Sequence, residues 1–374
     1  MVVRAVRPVR WLSRRGVGEE TSGGGGRPGA VRGPIGPPVR GVGETRADDL
    51  VPLGRTGLRV SRLGLGLASL GGLFAPVSDE VAAATLDRAW ELGIRLYDTA
   101  PVYGYGRSET RAGAALGPRP REEYVLCTKV GRLIEPGGRD TQPIWADPPP
   151  GVGPRLDYSY AGVLRSVEES LERLGLDRID VLHVHDPEQD FPAAVSQAYR
   201  ALAELRAKGV IGAVSLGVNH ARVATDFLKE APAPGPDCVL LAGRYNLLDQ
   251  SGLGELLPLC ARRGVAVMAA GVYQSGLLAD PRPGAPHGHG TIPAGLAARV
   301  GAWRAVCERF GVPPLAAAVQ FPLGHPAVAA VVVGARAPEE VAGSVELFAH
   351  PIPEGFWVAV KSVGLLPASV PIPV

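Results

Sequence analysis

Eight times between residues 59 and 348 a short apolar stretch is followed by a longer amphipathic one. The pairs are RVSRLGLGL (59–67) with 79–92, RLYD (95–98) with 107–116, YVLCTKV (124–130) with 160–174, and IDVLHVH (179–185) with 193–209. GAVSLGV (212–218) with 221–229, CVLLAGR (238–244) with 252–263, VAVMAAG (265–271) with 294–310, and AVAAVVVG (327–334) with 338–348 complete the series. Strands separated by helices pair in parallel, because the helix carries the chain back to the starting edge. The apolar runs are nearly continuous, as a sheet buried on both faces requires. Eight units in about 300 residues predict a closed (β/α)8 barrel, an α/β fold of the TIM type. An open doubly wound sheet is the competing arrangement, and the count of eight disfavours it.

The chain has 374 residues, 46% of them apolar, enough for one large core. Its net charge of +2 is unevenly spread, with nine Arg against three Glu in residues 1–47. The basic excess thus belongs to the leading segment, and nucleic-acid binding by the rest is not indicated. Residues 1–48 are rich in Gly, Pro and Arg and lack periodic apolar positions, so they are expected to be a disordered tail. A start assigned too far upstream would explain them as well. The expected organisation is this tail, a barrel over 49–352, and a C-terminal extension over 353–374. Trp11-Leu12-Ser13-Arg14-Arg15 looks like an export signal, but a Gly-rich stretch follows where an apolar one belongs. No run approaches the roughly 18 apolar residues that span a bilayer. Cys127, Cys238, Cys260 and Cys307 match no metal or redox spacing and read as buried free thiols. Together these features place the protein in the cytoplasm, with no membrane or nucleic-acid partner and no metal.

Functional groups in such a barrel sit at the C-terminal ends of its strands. Asp98 closes the second strand, with Tyr103 in the loop beyond it; Lys129 closes the third and His185 the fourth. These four converge on one rim. A Lys ammonium beside a Tyr favours tyrosinate and lowers its pKa, and an Asp holds the Lys in place. A neutral His can orient a carbonyl or carbinol oxygen. Such a set moves a proton on or off that oxygen while a hydride moves at the carbon, for which a nicotinamide is the natural carrier. Tyr97 reads instead as strand packing, Tyr105 as a loop aromatic or pocket wall, His183 as a hydrogen-bonded core residue, and Asp186 as a cap or brace for its loop. Arg165 and Glu169, four apart, read as a solvated helix pair. The segments 131–159 and 272–293 exceed ordinary loop lengths on the same face; such loops are functional or disordered, and cover over substrate or cofactor is the favoured reading.

DTAPVYG (98–104), TK at Lys129, RSVEESLERLG (165–175), IDVLHVHDP (179–187) and VVGARAPEEV (332–341) resemble the aldo-keto reductase superfamily over roughly residues 51–350. HDP after the fourth strand and GARAPEEV are most similar to its sugar-oxidising branch, with D-threo-aldose, L-fucose and pyridoxal 4-dehydrogenases. The resemblance implies Tyr103 as the proton-transfer residue, Lys129 and Asp98 as its tuning pair, and His185 as the group orienting substrate. It also implies a nicotinamide dinucleotide across the barrel mouth. The matching contacts are Asp98, Asn219 after the fifth strand, Ser275, Gly276 and Leu278 after the seventh, and Gly334, Arg336 and Glu340 after the eighth.

Departures from the family pattern are also present. Ala242 stands where a Gln commonly holds the carboxamide, and Gly217-Val218-Asn219 replaces the usual Ser-Asn pair. Glu340 stands where phosphate-selective members often have Arg, although Arg336 nearby could bind a 2′-phosphate, which puts NAD or dual use at least level with strict NADP. GLGLAS (64–69) misses the third glycine of a dinucleotide fingerprint. The expected activity is NAD(P)-dependent oxidation of an aldose to a lactone; oligomeric state is not legible. A pyridoxal dehydrogenase or general aldehyde/ketone reductase is the alternative within enzymes. A slow nicotinamide-binding regulatory module is the alternative of another class.

Overall fold

The computed structural model describes residues 45–139, 142–274, 276–278 and 294–373. Eight parallel strands close into a barrel, as the alternation requires. The first predicted strand proves to be two elements. Leu50–Pro52 (β1) and Arg59–Ser61 (β2) form an antiparallel hairpin, and only Leu63–Gly66 (β3) enters the barrel. Arg62 separates them by donating to the carbonyls of Val328 and Ala329 at 3.2 and 3.0 Å.

The barrel continues with Leu96–Asp98 (β4) and Val125–Val130 (β5). Arg132–Pro136 (β6) and Val152–Leu156 (β7) then pair as a second hairpin outside the barrel. Val181–His185 (β8), Ala213–Val218 (β9), Cys238–Ala242 (β10), Ala266–Ala270 (β11) and Val328–Gly334 (β12) complete it, with β12 returning to β3.

The surrounding helices are α1 (Asp79–Glu91), α2 (Arg107–Leu116), α3 (Tyr160–Leu174), the single turn α4 (Phe191–Ala193), α5 (Tyr199–Ala207) and α6 (Ala221–Glu230). They continue with α7 (Leu256–Arg263), α8 (Ala294–Phe310), α9 (Pro314–Gln320), α10 (Pro338–Phe348) and α11 (Glu354–Ser362). Ser78 and Ser159 start α1 and α3 by accepting the N–H of Val81 and Gly162. Gly175 ends α3 at φ 62°, where a side chain would be strained.

Leu53 and Val60, fully buried, plug the N-terminal end of the barrel against Leu96, Val125, Cys127, Val181, Ala213, Cys238 and Ala266. The body starts slightly before residue 49, since Ala47 is buried and its carbonyl accepts from Leu63 at 3.0 Å. Residues 1–44 of the expected tail lie outside the described residues. At the other end, α11 buries Phe356, Trp357 and Val360, and Phe356 meets Phe310 of α8. The segment from 353 is therefore packed onto the barrel's outer layer. All four cysteines are buried and free. Among the described residues no helix is long and apolar enough to cross a membrane.

Candidate active site

Strand register assembles the polar cluster. Asp98 pairs with Cys127, and Lys129 pairs with His183. Residues two apart on a strand share a face, so Cys127 and Lys129, and His183 and His185, point the same way. Opposite His185, β9 places Gly217, where a methyl would rest in ordinary contact with the Lys129 stem, 3.6 Å from its Cδ and Cε.

Lys129 is 2% exposed and fully engaged. Its Nζ donates to Asp98 Oδ1 and Oδ2 at 2.8 and 2.7 Å and to the Thr99 carbonyl at 2.8 Å. It also hydrogen-bonds the Tyr103 hydroxyl and lies 4.8 Å from that ring's centroid. Asp98 Oδ1 additionally lies 3.1 Å from His183 Nε2. The His185 ring stands edge-on to Tyr103, centroids 6.1 Å apart. The structure thus brings Tyr103, Lys129, Asp98 and His185 together at the rim.

The electrostatics differ in one respect from the sequence expectation. Burial pushes the Tyr103 hydroxyl up; Lys129 pulls it down, and the Asp98 carboxylate opposes Lys129. The net direction is up, because desolvation of a tyrosinate outweighs the ammonium that was expected to dominate. Burial also raises Asp98, but Lys129 and His183 more than compensate and hold its carboxyl below the ordinary value. For Lys129, burial lowers the pKa, while Asp98 and Tyr103 raise it to a net increase. His185 is held well below its ordinary value by burial, then by Arg132 and Lys129, and is neutral. Asp98, Cys127 and His183 bring donor atoms within 4.8 Å of one another. The Lys129 ammonium already fills the cation position of that carboxylate.

The hairpin β6–β7 folds over this end of the barrel. Trp145, buried, lies 5.6 Å from the Tyr103 ring, and Trp145, Ala100, Val102 and Tyr105 form one apolar cluster. Arg132, 8% exposed, pairs with Asp186 at 2.9 Å, and Tyr158 donates to the carbonyls of His185 and Asp186 at 2.5 and 2.8 Å. Asp186 also accepts from Asn219 Nδ2 at 3.0 Å and adopts a left-handed φ of 43°. The sequence reading of Asp186 as a brace is therefore realised, with partners it did not name. Tyr97 is a core residue whose hydroxyl donates to Ile94, and Tyr105 is a buried wall. Arg165 meets Glu169 at 2.6 Å on an exposed helix face.

The expected dinucleotide contacts are unevenly placed. Gly334 pairs with Gly66, leaving bare backbone at the rim, where a Cβ on Gly334 would lie 3.1 Å from Ser69 Oγ. Arg336 donates to the Leu73 carbonyl, and its buried Nε has no partner, so it fits an anionic group. Glu340 accepts the Arg336 main-chain N–H at 2.8 Å. Both Asp98 oxygens accept from Lys129 Nζ. Asn219 is at the rim, its amide turned to Asp186. Ser275 lies outside the described residues. The N–H groups of Gly276, Leu277 and Leu278 donate within their own turn, to Tyr273, Gln274 and Tyr273.

Comparison with known proteins agrees with this geometry. The aldo/keto reductase family profile matches residues 62–364. A pyridoxal 4-dehydrogenase of Microbacterium luteolum is 44% identical over 342 residues, 86% of this chain and 99% of the relative. A D-threo-aldose 1-dehydrogenase of a Pseudomonas species is 41% identical over 320 residues, 83% and 96% of the two chains. Among solved structures, the holo form of an aldo-keto reductase from Bacillus halodurans superposes with a TM-score of 0.68 at 28% identity, covering 86% of this chain and 97% of that one.

Proposed function

The chain belongs to the aldo/keto reductase family, and we propose that within it this NAD(P)-dependent oxidoreductase oxidises an aldose at the anomeric carbon to a lactone. The observation that carries the proposal is the buried chain Asp98–Lys129–Tyr103, which ends on a hydroxyl at the barrel mouth beside a neutral His185. The bound nicotinamide supplies the hydride acceptor. In oxidation, Tyr103 takes the proton from the sugar's anomeric hydroxyl. It does so as tyrosinate and ends as neutral tyrosine; Lys129 stabilises the tyrosinate before the transfer, and Asp98 fixes Lys129. His185, uncharged, orients the reacting oxygen without competing for its proton. Trp145 covers Tyr103 and excludes water from the transfer.

The D-threo-aldose 1-dehydrogenase relative supports the sugar as substrate class. Pyridoxal is the second reading, favoured by the relative with 44% identity over almost its whole length. At the cofactor's adenosine end Arg336 is the residue for an anion, and the Glu340 carboxylate beside it disfavours a 2′-phosphate. NAD is therefore the proposed carrier. Steady-state rates with L-fucose, D-arabinose, L-galactose, pyridoxal and a simple aromatic aldehyde, each with NAD+ and NADP+ or the reduced forms, test both points. Sugar oxidation with NAD+ should lead in kcat/KM; leading rates on pyridoxal or on aldehyde reduction would replace the aldose reading.

A further inference from the structure

His183 is completely buried, and the roles of Tyr103, Lys129, Asp98 and His185 leave it none. Its Nε2 lies 3.1 Å from Asp98 Oδ1, the oxygen that also accepts from Lys129 Nζ at 2.8 Å. Around the imidazole stand Asp98 from β4, Cys127 and Lys129 from β5, His185 further along its own strand, and Ser215 from β9. Ser215 turns its hydroxyl to the Cys238 carbonyl at 3.1 Å, and burial keeps the Cys127 thiol protonated. Asp98 is the one anionic side chain in this group. The contact is close but skewed, with neither ring nitrogen aimed squarely at an acceptor. Burial lowers the imidazole's pKa more than Asp98 raises it, so a neutral ring presents its Nε2 edge to Asp98 at 3.1 Å and brings no second positive charge.

Hydrogen-bond donors compete for a carboxylate's charge. With Lys129 alone, Asp98 would draw the ammonium's charge fully to itself, and its own negative field would act unshielded on Tyr103. With His183 3.1 Å from the same Oδ1 that Lys129 contacts, part of that charge is met by the imidazole. We propose that His183 is a positioning residue of the reaction: its share of Asp98 Oδ1 leaves the Lys129 ammonium free to act on the Tyr103 hydroxyl. The proposal rests on Tyr103 being the proton-transfer residue.

The test compares pH profiles of kcat/KM for sugar oxidation in wild type, His183→Leu, which removes the donor, and His183→Gln, whose amide restores one. His183→Leu should displace the rising limb to higher pH by about one unit and slow oxidation near neutrality roughly tenfold. KM for the cofactor should stay within about twofold, because His183 lies beneath the rim. His183→Gln should recover most of the displacement. Should His183→Leu not fold, His183→Asn, with its shorter amide, takes its place. A rate loss with the limb unmoved, or a Gln variant no better than Leu, would reduce His183 to a packing residue. Tyr103→Phe is run alongside. If it retains turnover, the reading of Tyr103 falls and this proposal with it; if it is inactive while the limb stays unmoved, only the role of His183 is overturned.

Discussion

At the N-terminal end of the barrel strands the interior is a plug of Leu53, Val60, Leu96 and Val181. At the C-terminal end of the same strands, Asp98, Lys129 and His183 occupy equivalent inward positions with almost no solvent contact. The two ends show how one strand pattern serves two purposes. Burying the apolar end stabilises the fold roughly in proportion to the area removed from water. Burying the charged end is tolerable only because each partner is matched, and breaking such a pair costs more than the pair contributes.

Substitutions at the two ends should accordingly separate activity from stability. Lys129→Met should show the largest combined effect. It should lower kcat about 10²-fold or more and destabilise the fold by about 3–5 kcal/mol, because Asp98 is left buried with only His183. Urea unfolding alongside steady-state kinetics checks both. Leu53→Ala should cost a similar about 2–5 kcal/mol, yet leave kcat within about twofold where the protein stays folded. A large kcat loss there would mean that the plug reaches the chemistry.

The pH dependence should be smaller and more telling. A raised Tyr103 pKa means a hydroxyl protonated at neutral pH, so kcat/KM for oxidation should climb about tenfold per pH unit below that pKa. The reduction rate should stay flat over the same range. Neutral His185 should add no step near its ordinary value of about 6.5. For stability, the lowered Asp98 pKa contributes above the unfolded carboxyl's value of about 3.9, and is lost as pH falls through the folded value. Raised Tyr103 and Lys129 values contribute below about 10 and are lost as pH rises past it. Melting temperature against pH checks these directions.

How far the sequence is legible follows the same division. The barrel can be read from its alternation, and Asp98, Lys129 and His185 from their places at strand ends, since both depend on local period. The contact of His183 with Asp98 has a signal, its two-residue spacing from His185, but that spacing does not say what lies opposite. Trp145 over Tyr103 and Arg132 on Asp186 come from a long segment whose hairpin is fixed by non-local contacts, and nothing in 131–159 marks them. The direction of the Tyr103 shift was misjudged because residue identity announces a neighbouring charge and not the depth of burial.

Everything proposed for this site depends on Tyr103 transferring the proton. The direct test is Tyr103→Phe, which removes one oxygen from a half-buried ring and keeps the contact with Trp145. Turnover with sugar and NAD+ should fall by about 10²–10⁴-fold, while nicotinamide binding, followed by protein fluorescence, and the melting temperature stay near wild type. Turnover within about tenfold of wild type in a variant that still binds nicotinamide would contradict the account.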